Sequence, residues 1–538
     1  MIRAIRRFPA VALSCLLAGV TLAACTQSSS SGQQTGQSQT GGVVTAALST
    51  DPPSLDPAKG FDSTSWSFIH ATFVSLLTFN NSNDVVPWGA AAMPTVSDQG
   101  LAYTFKLRPG LKFTNGEPVT AQAYADAIER ILNPATKSQL QAFYEIINGA
   151  DAYVSGKAKD VSGIEVSGPD TIKFTLTKPD RTFLDVMAIP NASAVPPNLI
   201  AKNSAGFGLK PVGDGPYTVQ SYTPGRQITM VRNPNYFDAK SVSVQKISIT
   251  IGLAPQTELL RVQNGTTDVM MDNLDAPSYL AVGNNPKYST YLHHFTAIAD
   301  NYVALNMQKA PFNNTLIREA AAYAVDNSQV LKSIAGMGST LTQILAPGMP
   351  GFDPSVKPIK YDPGMAKTLL SQAGHKNGAG LPTLTFAVAN GGFTAGANVA
   401  QVVQQDLQQV GFKVQLKVMD SGAFLSSIGQ YPLTMGIYGI DYPDPYDLIA
   451  SQFACAQIEA GNNWQFYCNH AVDQTLSSSL SLSLPAAIPV YRQLQSQILS
   501  AFPWIPLYYQ TLYYFVNPKL SGFGANALYP FLFASWRI

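Results

Sequence analysis

The segment from Thr383 to Val418 constrains the fold most. TLTFAVA and FKVQLKV are apolar runs of strand length, and between them Val399, Val402, Val403, Leu407 and Val410 recur on one face at helical spacing. A chain that passes from strand to strand through an amphipathic helix is committed to an α/β layer, because the helix must bury its stripe on the sheet. The same mixed pattern fills the rest of the chain from Gly42 onward. In YTFKLRPG, Tyr103, Phe105 and Leu107 alternate with polar residues as in a half-buried strand, and Thr120 then caps a helix with Tyr124, Ile128, Ile131 and Leu132 on one face. Ile172, Phe174 and Leu176 mark another strand, and Pro224-Gly225 turns a hairpin in PYTVQSYTPGRQITMVRN. In YDPGMAKTLLSQAG, Asp362 is the N-cap, Pro363 the first helical residue and Gly374 the stop. The aromatic end, AFPWIPLYYQTLYYFV, reads as buried strand closing a core.

The first residues carry an address rather than fold. Arg3, Arg6 and Arg7 precede an apolar run, Val11 to Leu22, too short for a bilayer that needs about 20 residues. Leu22-Ala23-Ala24-Cys25 resembles a lipobox, so residues 1–24 are expected to be a signal peptide and Cys25 to be lipidated. Residues 25–42, polar and uncharged, are expected to be a flexible tether. The expected location is therefore outside the cytoplasm, lipid-anchored to the cell membrane. Of four cysteines, Cys15 leaves with the signal and Cys25 takes the lipid, so Cys455 and Cys468 remain in an oxidising compartment and are expected to pair; two buried free thiols are the competing reading.

Charge excludes some partners. Losing three arginines leaves 31 basic residues of the original 34 against 33 acidic ones, a net of −2, which argues against nucleic acid. About 500 residues after the leader exceed one core, so two or three lobes are expected. There is no HExxH or CxxC spacing among the five histidines and four cysteines, and adjacent His293 and His294 would point to opposite faces of a strand. No GxSxG elbow, Walker loop or dinucleotide fingerprint occurs; GMGST, Gly336 to Thr340, has its serine misplaced. No enzymatic activity and no cofactor are expected.

Five further stretches, taken in order, carry a resemblance. They are Thr104–Arg130, Gly213–Phe237, Asn306–Leu331, YDPGMAKTLLSQAG and YGIDYPDPYD, following SLDPA at Ser54 to Ala58. Together they resemble the bacterial family 5 extracellular solute-binding proteins, the oligopeptide, dipeptide and nickel receptors of ABC importers. The resemblance implies a bilobed fold like the type II periplasmic binding proteins, two α/β lobes joined by a hinge with an extra insertion domain in the first. By analogy the first lobe takes residues 43–77, 206–300 and 502–538, the insertion 78–205 and the second lobe 301–501. It implies a monomer that captures a short peptide or similar small polar solute and hands it to membrane permease subunits. A sugar, opine, haem or nickel chelate, or a sensing role without transport, are the alternatives within the same fold.

YGIDYPDPYD spends three aspartates on ten residues, in a chain where 12% are charged. A carboxylate in a closing cleft is costly unless it meets a cation. In peptide-binding relatives the aspartate of the similar segment holds the peptide α-amino group, and Asp441 is the matching position. A turn aspartate bonding its own backbone is the competing reading. Asp444, between two prolines, is expected to shape a turn, and Asp447 to cap a helix beginning near Leu448. Tyr438, Tyr442 and Trp464 are candidate pocket residues, each with core packing as the plainer alternative.

Overall fold

The computed structural model describes residues 41–203, 206–390 and 396–538; the leader, Cys15, Cys25 and the tether up to residue 40 lie outside the described residues. Two main sheets organise the chain. The first has the order Val269–Met270, Val43–Leu48, Lys246–Ile251, Gln227–Arg232, Tyr217–Thr223. Its centre is parallel, Val43–Leu48 beside Lys246–Ile251, and its edge is the antiparallel hairpin turned at Pro224-Gly225. Gly225 takes φ +69°, which a side chain would resist.

The second sheet has the order Gly338–Thr340, Trp504–Phe515, Leu292–Leu305, Leu433–Gly439, Thr383–Ala389, Lys413–Met419. Thr383–Ala389 and Lys413–Met419 are parallel, joined by the helix Ala397–Val410 that buries Val399, Val403, Leu407 and Val410. Each such side chain contributes about 1.5–3 kcal/mol of transfer free energy, which is why the stripe dictates the crossover. A third sheet, Thr95–Ser97, Ala102–Lys106, Thr171–Thr175 and Ile164–Val166, packs on the helix Ala121–Leu132, whose cap is Thr120 Oγ1 accepting from the Ala123 N–H at 3.3 Å.

Two long antiparallel strands, Leu292–Leu305 and Trp504–Phe515, connect the main sheets. At one end Phe295, Leu512, Tyr514 and Val516 pack with the core of the first sheet, and Val516 bridges to Val269. At the other end Val303, Leu305, Ile505 and Leu507 belong to the core of the second. The pairing breaks between these ends, where the register jumps from Thr296↔Thr511 to Asp300↔Tyr509 and leaves residues 297–299 without partners on Trp504–Phe515. A bulge bends a strand and opens its ladder, so the two cores are joined by a locally interrupted two-strand ribbon.

The helix expected near Leu448 begins earlier, at Pro445, and its N-cap is Asp444, whose Oδ1 accepts the Tyr446 N–H at 2.8 Å. This corrects the assignment of the cap to Asp447. Pro445 at the first helical position explains it, since its missing N–H and fixed φ suit that place. Cys455 and Cys468 are joined in a disulfide with S–S 2.04 Å. No helix among the described residues is long and apolar enough to cross a membrane.

Candidate ligand-binding site

A cavity of about 310 Å³ lies against the bulge. Its floor is Phe295 to Ala299 with Leu512 and Tyr514 from the ribbon; Gly439, Ile440 and Asp441 enter from the end of Leu433–Gly439; Phe61, Asp62 and Trp66 come from the start of the helix Ser63–Thr72; Ala525 to Leu528 close the far side. The cavity therefore draws on both cores and on the ribbon between them. A second space of about 370 Å³ shares Phe295, Thr296, Ile298 and Ala525 to Ala527 with it and adds Asn81, Asn83, Pro347 and Gly348. A third, about 600 Å³, shares Asn83 and Gly348 with the second and is bounded by Arg181, Asp185, Phe352 and Asp444. The three form one discontinuous cleft.

Asp441 is half-buried on the wall of the first cavity. Its backbone N–H donates to Asp447 Oδ2 at 2.7 Å, and the Tyr438 hydroxyl donates to its Oδ2 at 3.3 Å. Its Oδ1 has no hydrogen-bond partner and no cation pairs with it among the described residues. Burial pushes its pKa up to about 7, and the Tyr438 hydrogen bond opposes that rise. Fully buried Asp447 is raised further, by burial first and by the Asp441 charge second. Asp447 thus holds the backbone of Asp441 in place. Asp62 resembles Asp441 in having a spare oxygen: Oδ1 accepts the Ser65 N–H at 2.8 Å as the helix cap, while buried Oδ2 has no partner.

The other sequence candidates sit apart from this wall. Tyr442 is buried against Phe143, edge to face at 6.3 Å, and Trp464 is buried against Phe424 with its indole N–H donating to the Gly461 carbonyl at 2.9 Å. Neither lines the cavity; Tyr438 reaches it only through Asp441. The cavity residues Phe61, Asp62, Trp66, Ile298, Asn526 and Leu528 went unnoticed because their local sequence reads as ordinary loop or strand.

At the cleft's far end Asp444 has a second role. Arg181 Nη2 donates to both its carboxylate oxygens at 2.6 and 2.8 Å and to the Tyr491 hydroxyl at 2.8 Å, while Nη1 donates to the Ser479 carbonyl at 2.9 Å. Its charge is thus paired inside the protein, and only its buried Nε has no partner. The histidines form no ligand set: His70 is stacked between Trp88 and Tyr529, and His293 and His294 face Phe523 and Tyr513 respectively. The one Cys/His cluster found among the described residues, Cys455, Cys468 and His470, has both sulfurs tied in the disulfide.

The family model of bacterial extracellular solute-binding proteins, family 5, matches residues 84–460. Glutathione-binding protein GsiB of Escherichia coli K12 is 27% identical over 439 residues, covering 80% of this chain and 81% of that protein; GsiB of Salmonella typhi is 26% identical over 488 residues, covering 89% and 91%. Among solved structures, the periplasmic binding protein DppA of Helicobacter pylori in complex with the peptide STSA aligns at TM-score 0.78 and 22% identity, covering 93% of this chain and 98% of that one. Clavulanic acid biosynthesis oligopeptide binding protein 2 aligns at TM-score 0.83 and 22% identity, covering 93% and 95%. These likenesses establish the two-lobed α/β fold of such receptors for this chain. With its family model matched over most of its length, the chain belongs to the bacterial extracellular solute-binding proteins, family 5.

Proposed function

We propose that this protein captures a short peptide, or a similar small polar solute bearing an ammonium group, between its two lobes and delivers it unaltered to an ABC permease. The observation that carries the reading is Asp441: a carboxylate with one free oxygen, no cation of its own, on a cavity at the interrupted ribbon. An ammonium group there gains a charge-assisted hydrogen bond of about 1.5–3 kcal/mol, with Tyr438 positioning the acceptor. The named relatives bind glutathione and oligopeptides, which supports a peptide-like guest. In this reading residues 43–77, 206–300 and 502–538 form the first lobe, 78–205 its insertion and 301–501 the second lobe, with 297–299 inside the hinge. Tyr442 packs the second lobe against Phe143 of the insertion and Trp464 packs on Phe424 within the second lobe, so Asp441 is the contact this reading relies on. The chain acts as a monomer outside the cytoplasm, held to the membrane by an acyl group on Cys25 after loss of residues 1–24.

Ligand bridging the lobes shifts the population to the closed form by its differential affinity. Asp441→Asn, near-isosteric, should weaken binding of an ammonium-bearing tripeptide at least tenfold in titration calorimetry with the melting temperature retained. An unchanged isotherm would remove the anchor.

A further inference from the structure

The charge inventory of the cleft is lopsided. Five carboxylates line its three spaces: Asp62 and Asp441 in the first, Asp84, Asp185 and Asp444 in the third. Among the described residues that line it, the sole cation is Arg181, in the third space; its charge is paired with Asp444, its Nη atoms donate to Asp444, Tyr491 and the Ser479 carbonyl, and only its buried Nε lacks a partner. The remaining polar wall offers amides; Asn526 Nδ2, for example, is a buried donor without a partner. A free peptide brings a carboxylate as well as an ammonium. Enclosed in the first cavity, that carboxylate would lose its water and meet no cation, with Asp62 and Asp441 on the walls around it.

We infer that the guest is a net cation with an apolar body that brings no carboxylate into the cleft, so that a C-terminally blocked peptide is preferred over the free acid. The inference rests on the peptide-receptor reading and narrows it. Asp62 is a second contact for positive charge, because its cap duty occupies one oxygen and leaves buried Oδ2 unpaired on the same cavity as Asp441. Phe61, Trp66 and Tyr514 supply apolar and π surface near both carboxylates, which suits an ammonium carried on a hydrophobic skeleton. Glutathione, an anion with two carboxylates, is the wrong guest for this lining, whatever the relatives bind.

The test offers the full-length protein a random mixture of tripeptides and tetrapeptides, half as free acids and half as C-terminal amides, with glutathione added, and reads retained species by native mass spectrometry. Amides enriched at least tenfold over matched acids, with glutathione absent, are expected. Acids retained equally or better, or glutathione retained, would overturn the inference and leave the receptor reading standing. Retention of nothing from either half would overturn the receptor reading and the inference with it. Asp62→Asn, whose amide oxygen still accepts the Ser65 N–H, should lower amide retention about tenfold at an unchanged melting temperature; unaltered retention would overturn the role of Asp62.

Discussion

Arg181 and Asp444 are 263 residues apart in sequence and pair with side-chain exposures of 16% and 5%. At an effective dielectric of about 20 their attraction is roughly 4 kcal/mol, yet two buried ions each surrender several kcal/mol of hydration. Burial raises the Asp444 pKa even with the guanidinium beside it, so desolvation outweighs the attraction on the acid's side; the Arg181 pKa is raised too, because its several partners together outweigh its own burial. The pair is therefore expensive to break and contributes little net. Asp444→Asn keeps a helix cap, since asparagine caps as well as aspartate, and strands the guanidinium; Arg181→Met strands the carboxylate. Each single change should cost about 3 kcal/mol in urea unfolding at pH 7.5, and the double variant no more than either single one, a coupling of at least about 3 kcal/mol. The Arg181→Met deficit should shrink at pH 5, because a stranded carboxylate with a raised pKa neutralises as protons are added. Additive losses below about 1 kcal/mol each would class the pair with exposed surface bridges and refute the argument.

Binding of an ammonium-bearing peptide should weaken progressively as pH drops below about 7, the value to which burial lifts Asp441, with Asp447 and Tyr438 the titratable groups facing it; calorimetry flat between pH 8 and 5.5 would contradict this. Asp300 is fully buried at the ribbon, with Oδ1 unpartnered and a pKa pushed well above its usual range by burial. Its raised pKa means stability is lost as pH climbs, so Asp300→Asn should leave thermal stability unchanged near pH 4 and raise it at pH 8. Gly215→Ala would place a methyl 2.5 Å from the Thr72 carbonyl carbon and 2.6 Å from the Phe73 nitrogen, and should cost about 1–3 kcal/mol in chemical unfolding. Removing the crosslink with Cys455→Ser and Cys468→Ser, across a separation of 13 residues, should cost about 3 kcal/mol in the same assay.

Local physics was legible in the sequence where it acts locally. The stripe Val399 to Val410 gave away its helix and crossover, and Thr120, Asp362, Pro363 and Gly374 marked their helix ends, because caps and periodicity depend on near neighbours. The missed cap is instructive: Asp444 and Asp447 both precede apolar residues, and only the preference of Pro445 for the first helical position separates them. The ribbon's bulge was invisible, since Thr-Ala-Ile-Ala-Asp reads as uninterrupted strand and the break arises from the partner strand 200 residues away. For the same reason Asp62, Trp66 and Asn526 gave no signal: their shared cavity exists only once both cores have formed. Asp441 stood out through family resemblance, whereas its free oxygen and the Asp447 behind it are three-dimensional facts.

Small-angle scattering with and without a saturating peptide amide tests the clamp most directly. If the guest bridges the two cores across residues 297–299, the radius of gyration should contract on binding and the Asp441→Asn protein should need far more peptide to contract. Superimposable curves from a sample that calorimetry shows to be saturated would mean that the lobes do not close on what they bind.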